Sequence, residues 1–380
     1  MTAKQQFTDA SCGTPRRPLS AGTLAFCLMS ALTFFLLVLC AEEAIMAMRE
    51  ALSLCARTVI PSLFPFMVAS ELIVRSGVAT SVGRFCAPVT QRIFGIGGEG
   101  SPALLLGMLC GFPVGAKSAA GLYQMGKISR GELCRLLCIG NQPSSAFVIS
   151  AVGISLFGSR RFGMLLYGTT LASGLLVGLI CHFWMPTDLT LCPNAKKTKR
   201  KNALSVLEFT DAITGAAHGM LSVCAFVCFF ATLVGCLSAI PAMERAPDWL
   251  RTLTFGFFEL TGGVSRAAAC RQASVATYLA ALCIGWSGLS VHFQVMCLCD
   301  RCEISFRPYF VAKAAQGILN VLLVAVSIRI WPPSADTLLE IPPNERGITN
   351  AWPIWLACFA VAIVIGSVRW WKNHDIGDKK

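Results

Sequence analysis

The chain has 380 residues, of which 55% are hydrophobic and only 14% are charged, and its mean hydropathy is +0.64. Soluble domains usually carry about a quarter charged residues, so this composition excludes an ordinary soluble protein and predicts an all-α polytopic membrane protein with about eight to ten membrane segments. The net charge of +12 lies largely in short basic segments beside apolar runs, a pattern typical of topology signals rather than of nucleic-acid binding.

The first apolar run, residues 18–41, follows the basic pair Arg16 and Arg17. It is longer than the core of a signal peptide and lacks the small residues of a cleavage site. We therefore predict a retained transmembrane helix with its basic end in the cytoplasm. Residues 42–59 place charges on one side and apolar residues on the other, which predicts an interfacial amphipathic helix.

The segment GFPVGAK, residues 111–117, combines two glycines, a proline and a lysine at the end of an apolar run. Glycine and proline weaken a helix, and lysine is costly in hydrocarbon. A second uncharged run, residues 136–158, contains the polar stretch NQPSS. Lipid cannot satisfy bare peptide groups, so such interruptions persist only where protein or a water-filled cavity covers them. We predict a hairpin over residues 136–158 with NQPSS near its tip.

The two halves of the chain resemble each other. LCIGNQPSSAF at residues 137–147 matches LCIGWSGLSVHF at residues 282–293. GFPVGAKSAA at residues 111–120 has a counterpart in LTGGVSRAAA at residues 260–269, with a basic residue at the same offset. Two matches in the same order and at nearly the same separation indicate a duplication.

A linker that contains the basic run KKTKRK separates the halves, and a Pro-rich loop precedes a last apolar run. The predicted units are the N-terminal helices (1–56), a first repeat (57–187), the linker (188–205), a second repeat (206–330) and the C-terminal unit (331–380). The first unit holds the N-terminal transmembrane and interfacial helices, and the last holds the Pro-rich loop with a C-terminal transmembrane helix.

Carriers that are built from repeats commonly bind their substrate where interrupted helices of the two halves meet. A half-helix N-terminus offers free N–H groups and a positive dipole end to an anion or a polar substituent. The adjacent amides of Asn141 and Gln142 would be costly if they faced lipid. Glu259 is an acid in a thin apolar stretch, which indicates either a cavity or a pairing with Arg266. The candidate substrate-binding residues are Gly111, Pro113, Gly115, Lys117, Asn141, Gln142, Ser144, Ser145, Glu259, Thr261, Ser287, Gly288, Ser290, His292 and Gln294.

Simpler interpretations stay open for several of these residues. Serines in membrane helices often bond a carbonyl of their own helix or allow close packing. Lys117 can extend to the interface from a helix end, and His292 can be a satisfied interior histidine. The triplet Cys297, Cys299 and Cys302 is a weak metal pattern, and most of the 19 cysteines lie in apolar runs where cysteine acts as a small hydrophobe. We expect no metal and no cofactor.

The segments GFPVGAK, GKISRGE, AVGISLFGS, FFELTGG and SGLSVHFQV occur in this order within residues 55–330. Together they resemble the YlbJ (SpoVV) family of sporulation integral membrane proteins. That family belongs to the nucleoside-recognition, or Gate, group, which is similar to concentrative nucleoside transporters with two repeats and re-entrant hairpins. The resemblance implies that the protein moves dipicolinate, a small aromatic dicarboxylate, across the mother-cell-derived outer forespore membrane. The stretch NQPSS departs from the usual family sequence NNSGP, so the resemblance does not fix the shape of the hairpin there.

Two other functions remain open. A transporter of nucleosides or other polar solutes would use Glu259 for hydroxyl groups, whereas a sporulation scaffold without transport would pair its intramembrane polar groups only with each other. No hydrolase elbow, zinc-protease, P-loop or dinucleotide motif occurs, so we predict no enzyme activity. The expected partners are a small anionic substrate and membrane lipid, with no nucleic acid, and a homo-oligomer is compatible with the sequence.

Overall fold

The computed structural model describes residues 21–76, 78–185 and 206–330, and every regular element in these ranges is a helix. The all-α prediction is therefore confirmed for the part of the chain that the structure describes. The predictions for the basic pair Arg16 and Arg17, for the linker at residues 188–205 and for the C-terminal unit at residues 331–380 lie outside the described residues.

The helices follow one another along the chain with short connections, and two of them have π geometry. In order they are α1 (Ala21–Leu39), α2 (Ala41–Leu54), π1 (Cys55–Val59), α3 (Ile60–Ser76), α4 (Val78–Phe94), α5 (Ser101–Cys110), α6 (Val114–Gln124), α7 (Arg130–Gly140), π2 (Ala146–Leu156), α8 (Arg160–Trp184), α9 (Val206–Ser238), α10 (Pro241–Glu244), α11 (Asp248–Phe258), α12 (Leu260–Ala268), α13 (Ala273–Trp286), α14 (Gly288–Leu298), a 3₁₀ helix (Asp300–Cys302) and α15 (Arg307–Ile330).

Four helical segments of the described chain are long and apolar enough to cross a membrane: α8, α9, the pair α13–α14, and α15. Helices α1 and α2 meet the same criterion only together, with a bend of 95° between them. Large apolar side chains on α1, such as Phe26, Leu32 and Leu39, are exposed, as expected for a surface in contact with lipid. The chain is an integral membrane protein.

The same order of elements occurs twice in the described chain. The hairpin α5–α6, the interrupted helix α7–π2 and the long helix α8 are followed later by the hairpin α11–α12, the interrupted helix α13–α14 and the long helix α15. The two pairs of matching sequence segments fall at the two hairpin tips and at the two interruptions. The exact unit boundaries remain predictions.

Glycines allow the helices of each hairpin to approach closely. Gly115 of α6 lies against the backbone of Gly107 in α5 and of Gly140 in α7, and a Cβ on Gly115 would lie 2.6 Å from the Gly107 Cα atom. In the second hairpin, Gly256 of α11 and Gly263 of α12 contact each other. Small residues at such crossings permit the close backbone packing that holds membrane helices together. Gly115, which the sequence suggested as a substrate-binding residue, is therefore a packing residue where α5, α6 and α7 meet.

The predicted hairpin over residues 136–158 is wrong, because this stretch is a broken helix. Helix α7 ends at Gly140, residues 141–144 are not helical, and π2 begins at Ala146. Both halves pack along α8 and not side by side. Pro143 explains the break, since proline lacks an N–H and restricts the preceding residue. The chain continues past the break instead of reversing.

Candidate functional site

The tip of the first hairpin docks on the first interruption. Gly111 has a φ angle of +78°, in the left-handed region that favours glycine. The N–H of Phe112 donates to the carbonyl of Gln142 at 2.7 Å, and a Cβ on Gly111 would lie 2.8 Å from the Ser144 Cα atom. Pro113 occupies the N-cap position of α6. The residues that weaken a membrane helix thus form a reversal whose peptide groups bond to the interrupted helix.

The second interruption docks on the tip of the second hairpin in a similar manner. Ser287 and Gly288 have φ angles of +73° and +79°. A Cβ on Gly288 would lie 2.9 Å from the backbone nitrogen of Leu260 at the hairpin tip. The indole N–H of Trp286 donates to the Phe257 carbonyl at 3.0 Å. Each half of the protein therefore holds its hairpin tip against its own broken helix.

Glu259 lies at the tip of the second hairpin and caps α12. Its carboxylate accepts hydrogen bonds from the backbone N–H groups of Thr261, at 2.9 Å, and of Gly262. The side chain is buried, and the positive end of the α12 dipole favours its negative charge. Arg266 does not pair with it: the guanidinium lies over the Phe255 ring, 3.6 Å from the centroid. The structure thus favours the cavity interpretation of Glu259.

A cavity of about 180 Å³ lies where both hairpin tips and both interruptions meet. Helix α9 and the region around π1 close its other sides through side chains such as Val227 and Val59. Most of the lining is apolar, and Phe112 and Phe147 contribute aromatic faces. The polar lining residues are Ser144, Ser155, Glu259, Thr261, Ser265, Ser290 and Gln294.

Five of the predicted site residues line this cavity: Ser144, Glu259, Thr261, Ser290 and Gln294. The side-chain N–H₂ of Gln294 donates to the Ser290 hydroxyl at 3.4 Å, whereas its Oε1 has no hydrogen-bond partner in the described chain. None of the described lining residues is basic. The cavity therefore offers a carboxylate, an amide and several hydroxyl groups against apolar walls.

Asn141, Gln142 and His292 do not line the cavity but belong to a buried polar network. The Asn141 amide donates to the Tyr309 hydroxyl at 2.6 Å, and that hydroxyl lies 2.9 Å from the Nδ1 atom of His292. The amides of Gln142 and Gln316 bond to each other. These contacts join the first interruption to α14 and α15, and so connect the two halves.

The polar face of α15 is the feature that the sequence analysis missed. Tyr309, Lys313, Gln316 and Asn320 are all buried, and their spacing of four, three and four residues puts them on one side of the helix. None of these four residues is among the predicted substrate-binding residues. The helical spacing of these four polar residues was the available signal.

Lys117 lies outside the cavity, in the first turn of α6. Its Nζ atom is 3.0 Å from the Glu71 carboxylate of α3 and donates to the Gly215 carbonyl of α9 at 3.3 Å. Since 31% of the side chain is exposed, the ion pair contributes little net stability. Lys117 ties the first hairpin to its neighbours and is not a cation of the cavity.

Two predicted serines and the cysteine triplet lie outside the cavity lining. The Ser287 hydroxyl donates to the Ile284 carbonyl of its own helix at 3.2 Å, and Ser145 is the half-buried residue before π2. Cys299 and Cys302 are buried in the core, whereas Cys297 is exposed. No group of three or more histidine, cysteine or acidic side chains that could hold a metal ion occurs in the described ranges.

Comparisons with known proteins match the region that forms this site. A family model described as "Gate: Nucleoside recognition" matches residues 56–187, which include the first hairpin, the first interruption and α8. The chain is 29% identical over 323 residues to the sporulation integral membrane protein YlbJ of Bacillus subtilis (strain 168). That similarity covers 76% of this chain and 77% of the relative. No solved structure matches the chain.

Proposed function

Because the chain belongs to the YlbJ family of sporulation integral membrane proteins, we propose that it transports a small polar solute through the cavity where its interrupted helices meet. The proposed solute is dipicolinate, and the proposed location is the mother-cell-derived outer forespore membrane. The observation that carries the proposal is the convergence of two hairpin tips and two interruptions on one cavity of about 180 Å³.

The cavity supports a transporter more than a scaffold. A scaffold would pair all of its intramembrane polar groups with each other, as the side-chain amides of Gln142 and Gln316 do. Gln294 keeps an acceptor without a partner in the described chain, and Glu259 lines the cavity while its carboxylate caps α12. Irregular backbone at membrane depth with uncommitted polar groups is the arrangement that carriers use for solute binding.

Dipicolinate suits the largely apolar lining of the cavity. Phe112 and Phe147 can cover an aromatic ring, and the hydroxyl groups of Ser144 and Ser290 can donate to its carboxylates. Glu259 opposes a dianion, because two carboxylates in one poorly solvated site share a proton. We therefore propose that dipicolinate enters the cavity with at least one proton.

A nucleoside is the second candidate, and Glu259 is the observation that favours it. A carboxylate is a strong acceptor for the hydroxyl groups of a sugar, and the apolar walls can stack on a base. The family model that matches the first half carries the description "Nucleoside recognition". Separate uptake of the two solutes distinguishes these candidates.

Uptake by purified protein in lipid vesicles tests the proposal. We expect labelled dipicolinate to enter vesicles with the wild-type protein faster than protein-free vesicles. Gln294→Ala should lower the initial rate by about fivefold, because Oε1 then no longer accepts a hydrogen bond from the protonated carboxyl of the solute, and such a bond contributes about 1 kcal/mol. Lys117→Ala, the control on the first hairpin outside the cavity, should keep at least about half of the rate, because an exposed ion pair contributes at most about 1 kcal/mol.

The alternatives give different results in the same vesicles. Uptake of uridine without uptake of dipicolinate would favour the nucleoside candidate. If the folded protein moves neither solute, the transport proposal fails. An equal loss of rate in Gln294→Ala and Lys117→Ala would show that the cavity is not the solute path.

A further inference from the structure

Lys313 is a buried lysine without a carboxylate partner. Its side chain is fully buried in α15, and its Nζ atom donates to the Asn141 carbonyl at 2.9 Å and to Gln316 Oε1 at 2.7 Å. No ion pair within 4.0 Å joins it to an acidic side chain of the described residues. A buried ammonium is costly without compensation, so these oxygen atoms must supply what a counter-ion would otherwise provide.

The oxygen atoms around Lys313 belong to the end of a half-helix. Asn141 is the C-cap of α7, where the last carbonyl groups lack helical partners and the helix dipole is negative. The Oδ1 atom of Asn141 also has no partner in the described chain. Half-helix C-termini and unwound carbonyl groups are the ligands with which membrane carriers hold a monovalent cation.

We propose that Lys313 is a tethered cation whose ammonium group fills a site for a Na⁺-sized ion between α7 and α15. The protein then needs no Na⁺ to hold the first interruption in place. Removal of the ammonium leaves the Asn141 carbonyl without its donor and the Gln316 amide oxygen with only the 3.4 Å bond from the Gln142 amide, and a free ion can enter. The cation site itself does not depend on the proposed carrier function. Only its consequence for transport rests on that function, namely that solute flux does not require Na⁺.

Thermal unfolding of the purified full-length protein tests the site without any transport measurement. We expect the melting temperature of the wild-type protein to be the same in NaCl and in choline chloride of equal concentration. Lys313→Ala should melt lower in choline chloride and rise by roughly 2–5 °C in NaCl, since an ion that binds only the folded state stabilises it. Lys117→Ala, which removes a partly exposed lysine, should show no such rise.

A second variant checks the identity of the ligands. Lys313→Ala combined with Gln316→Ala should lose most of the response to NaCl, because one of the two oxygen ligands is gone. A wild-type protein that responds to NaCl as strongly as Lys313→Ala would overturn the proposal. So would a Lys313→Ala protein that melts alike in Na⁺, Li⁺, K⁺ and choline.

Poor recovery of Lys313→Ala does not leave the proposal undecided. Lys313→Thr then takes its place, since threonine fills more of the space than alanine does and also removes the charge. It should be recovered in NaCl and not in choline chloride. Failure of both variants in every salt counts against a cation site, because a free ion should rescue it. Solute flux of the wild-type protein that requires Na⁺ would contradict the consequence for transport, whereas a failure of dipicolinate transport leaves the melting result intact.

Discussion

Exchange of Glu259 for glutamine will raise dipicolinate uptake at neutral pH by at least about tenfold and will lower nucleoside uptake by a similar factor. Two unit charges about 6 Å apart repel by about 3 kcal/mol at an effective dielectric constant of about 20, and tenfold in rate corresponds to about 1.4 kcal/mol. Glutamine keeps the shape and one of the two oxygen acceptors of the α12 cap, so the change removes the charge at the cost of one capping hydrogen bond, a loss that Glu132→Gln shares.

The pH dependence of uptake gives the same test an independent readout. In the wild-type protein, dipicolinate uptake should rise as the pH is lowered from neutral, because a proton on either carboxylate removes the repulsion. In Glu259→Gln this rise should be smaller, since only the solute then titrates. Initial rates in vesicles with equal amounts of folded protein measure both profiles.

Glu132 is the matched control for Glu259. Its carboxylate also accepts two backbone N–H groups, from Ser129 at 2.9 Å and Gly97 at 2.8 Å, and it caps α7 away from the cavity. Glu132→Gln should therefore leave the choice of solute and the pH profile unchanged. Equal effects of the two variants, or a fall in dipicolinate uptake in Glu259→Gln, would contradict the assignment of Glu259 to the solute site.

Alanine at Gly111 or Gly288 will destabilise the protein by more than about 3 kcal/mol. Both glycines have positive φ angles, which cost a residue with a side chain about 1–3 kcal/mol. Both also touch the backbone of the facing interruption or hairpin tip, so an added Cβ forces the two apart. We expect a large fall in melting temperature and in the yield of monodisperse protein.

Two control glycines separate conformational strain from the clash. Gly158 has a φ angle of +66° and open space around an added Cβ, whereas Gly121 has open space and an ordinary φ angle. The expected order of stability is Gly121→Ala near the wild type, then Gly158→Ala, and then Gly111→Ala and Gly288→Ala. If Gly288→Ala melts like Gly158→Ala, the contact between interruption and hairpin tip is not a source of stability.

The positions of the interruptions could be predicted from the sequence, whereas their shapes could not. Glycine, proline and polar residues in apolar runs mark places where a membrane helix ends. Both a reversal and a break need these residues, and only packing decides between them. GFPVGAK reverses because α6 returns along α5, and NQPSS continues because π2 packs along α8.

The residues of the cavity were only partly predictable for a related reason. Glu259 was evident as an acid in an apolar stretch, and it lines the cavity. Asn141 lies in non-helical backbone, where no period tells which way a side chain points, and it bonds to Tyr309 instead. Lys117 pairs with Glu71, a residue from a distant helix that no local pattern links to it. The polar face of α15, by contrast, follows from helical spacing alone.

Thiol labelling at Ser144→Cys and Ser290→Cys is the most direct test of a solute cavity shared by the two halves. A small water-soluble reagent should label both positions, as read by mass spectrometry of each peptide, and dipicolinate should slow both reactions with the same half-maximal concentration. Ser287→Cys, at a fully buried position outside the cavity lining, should remain unlabelled. Protection of only one position, or labelling that no transported solute slows, would contradict a common site between the interrupted helices.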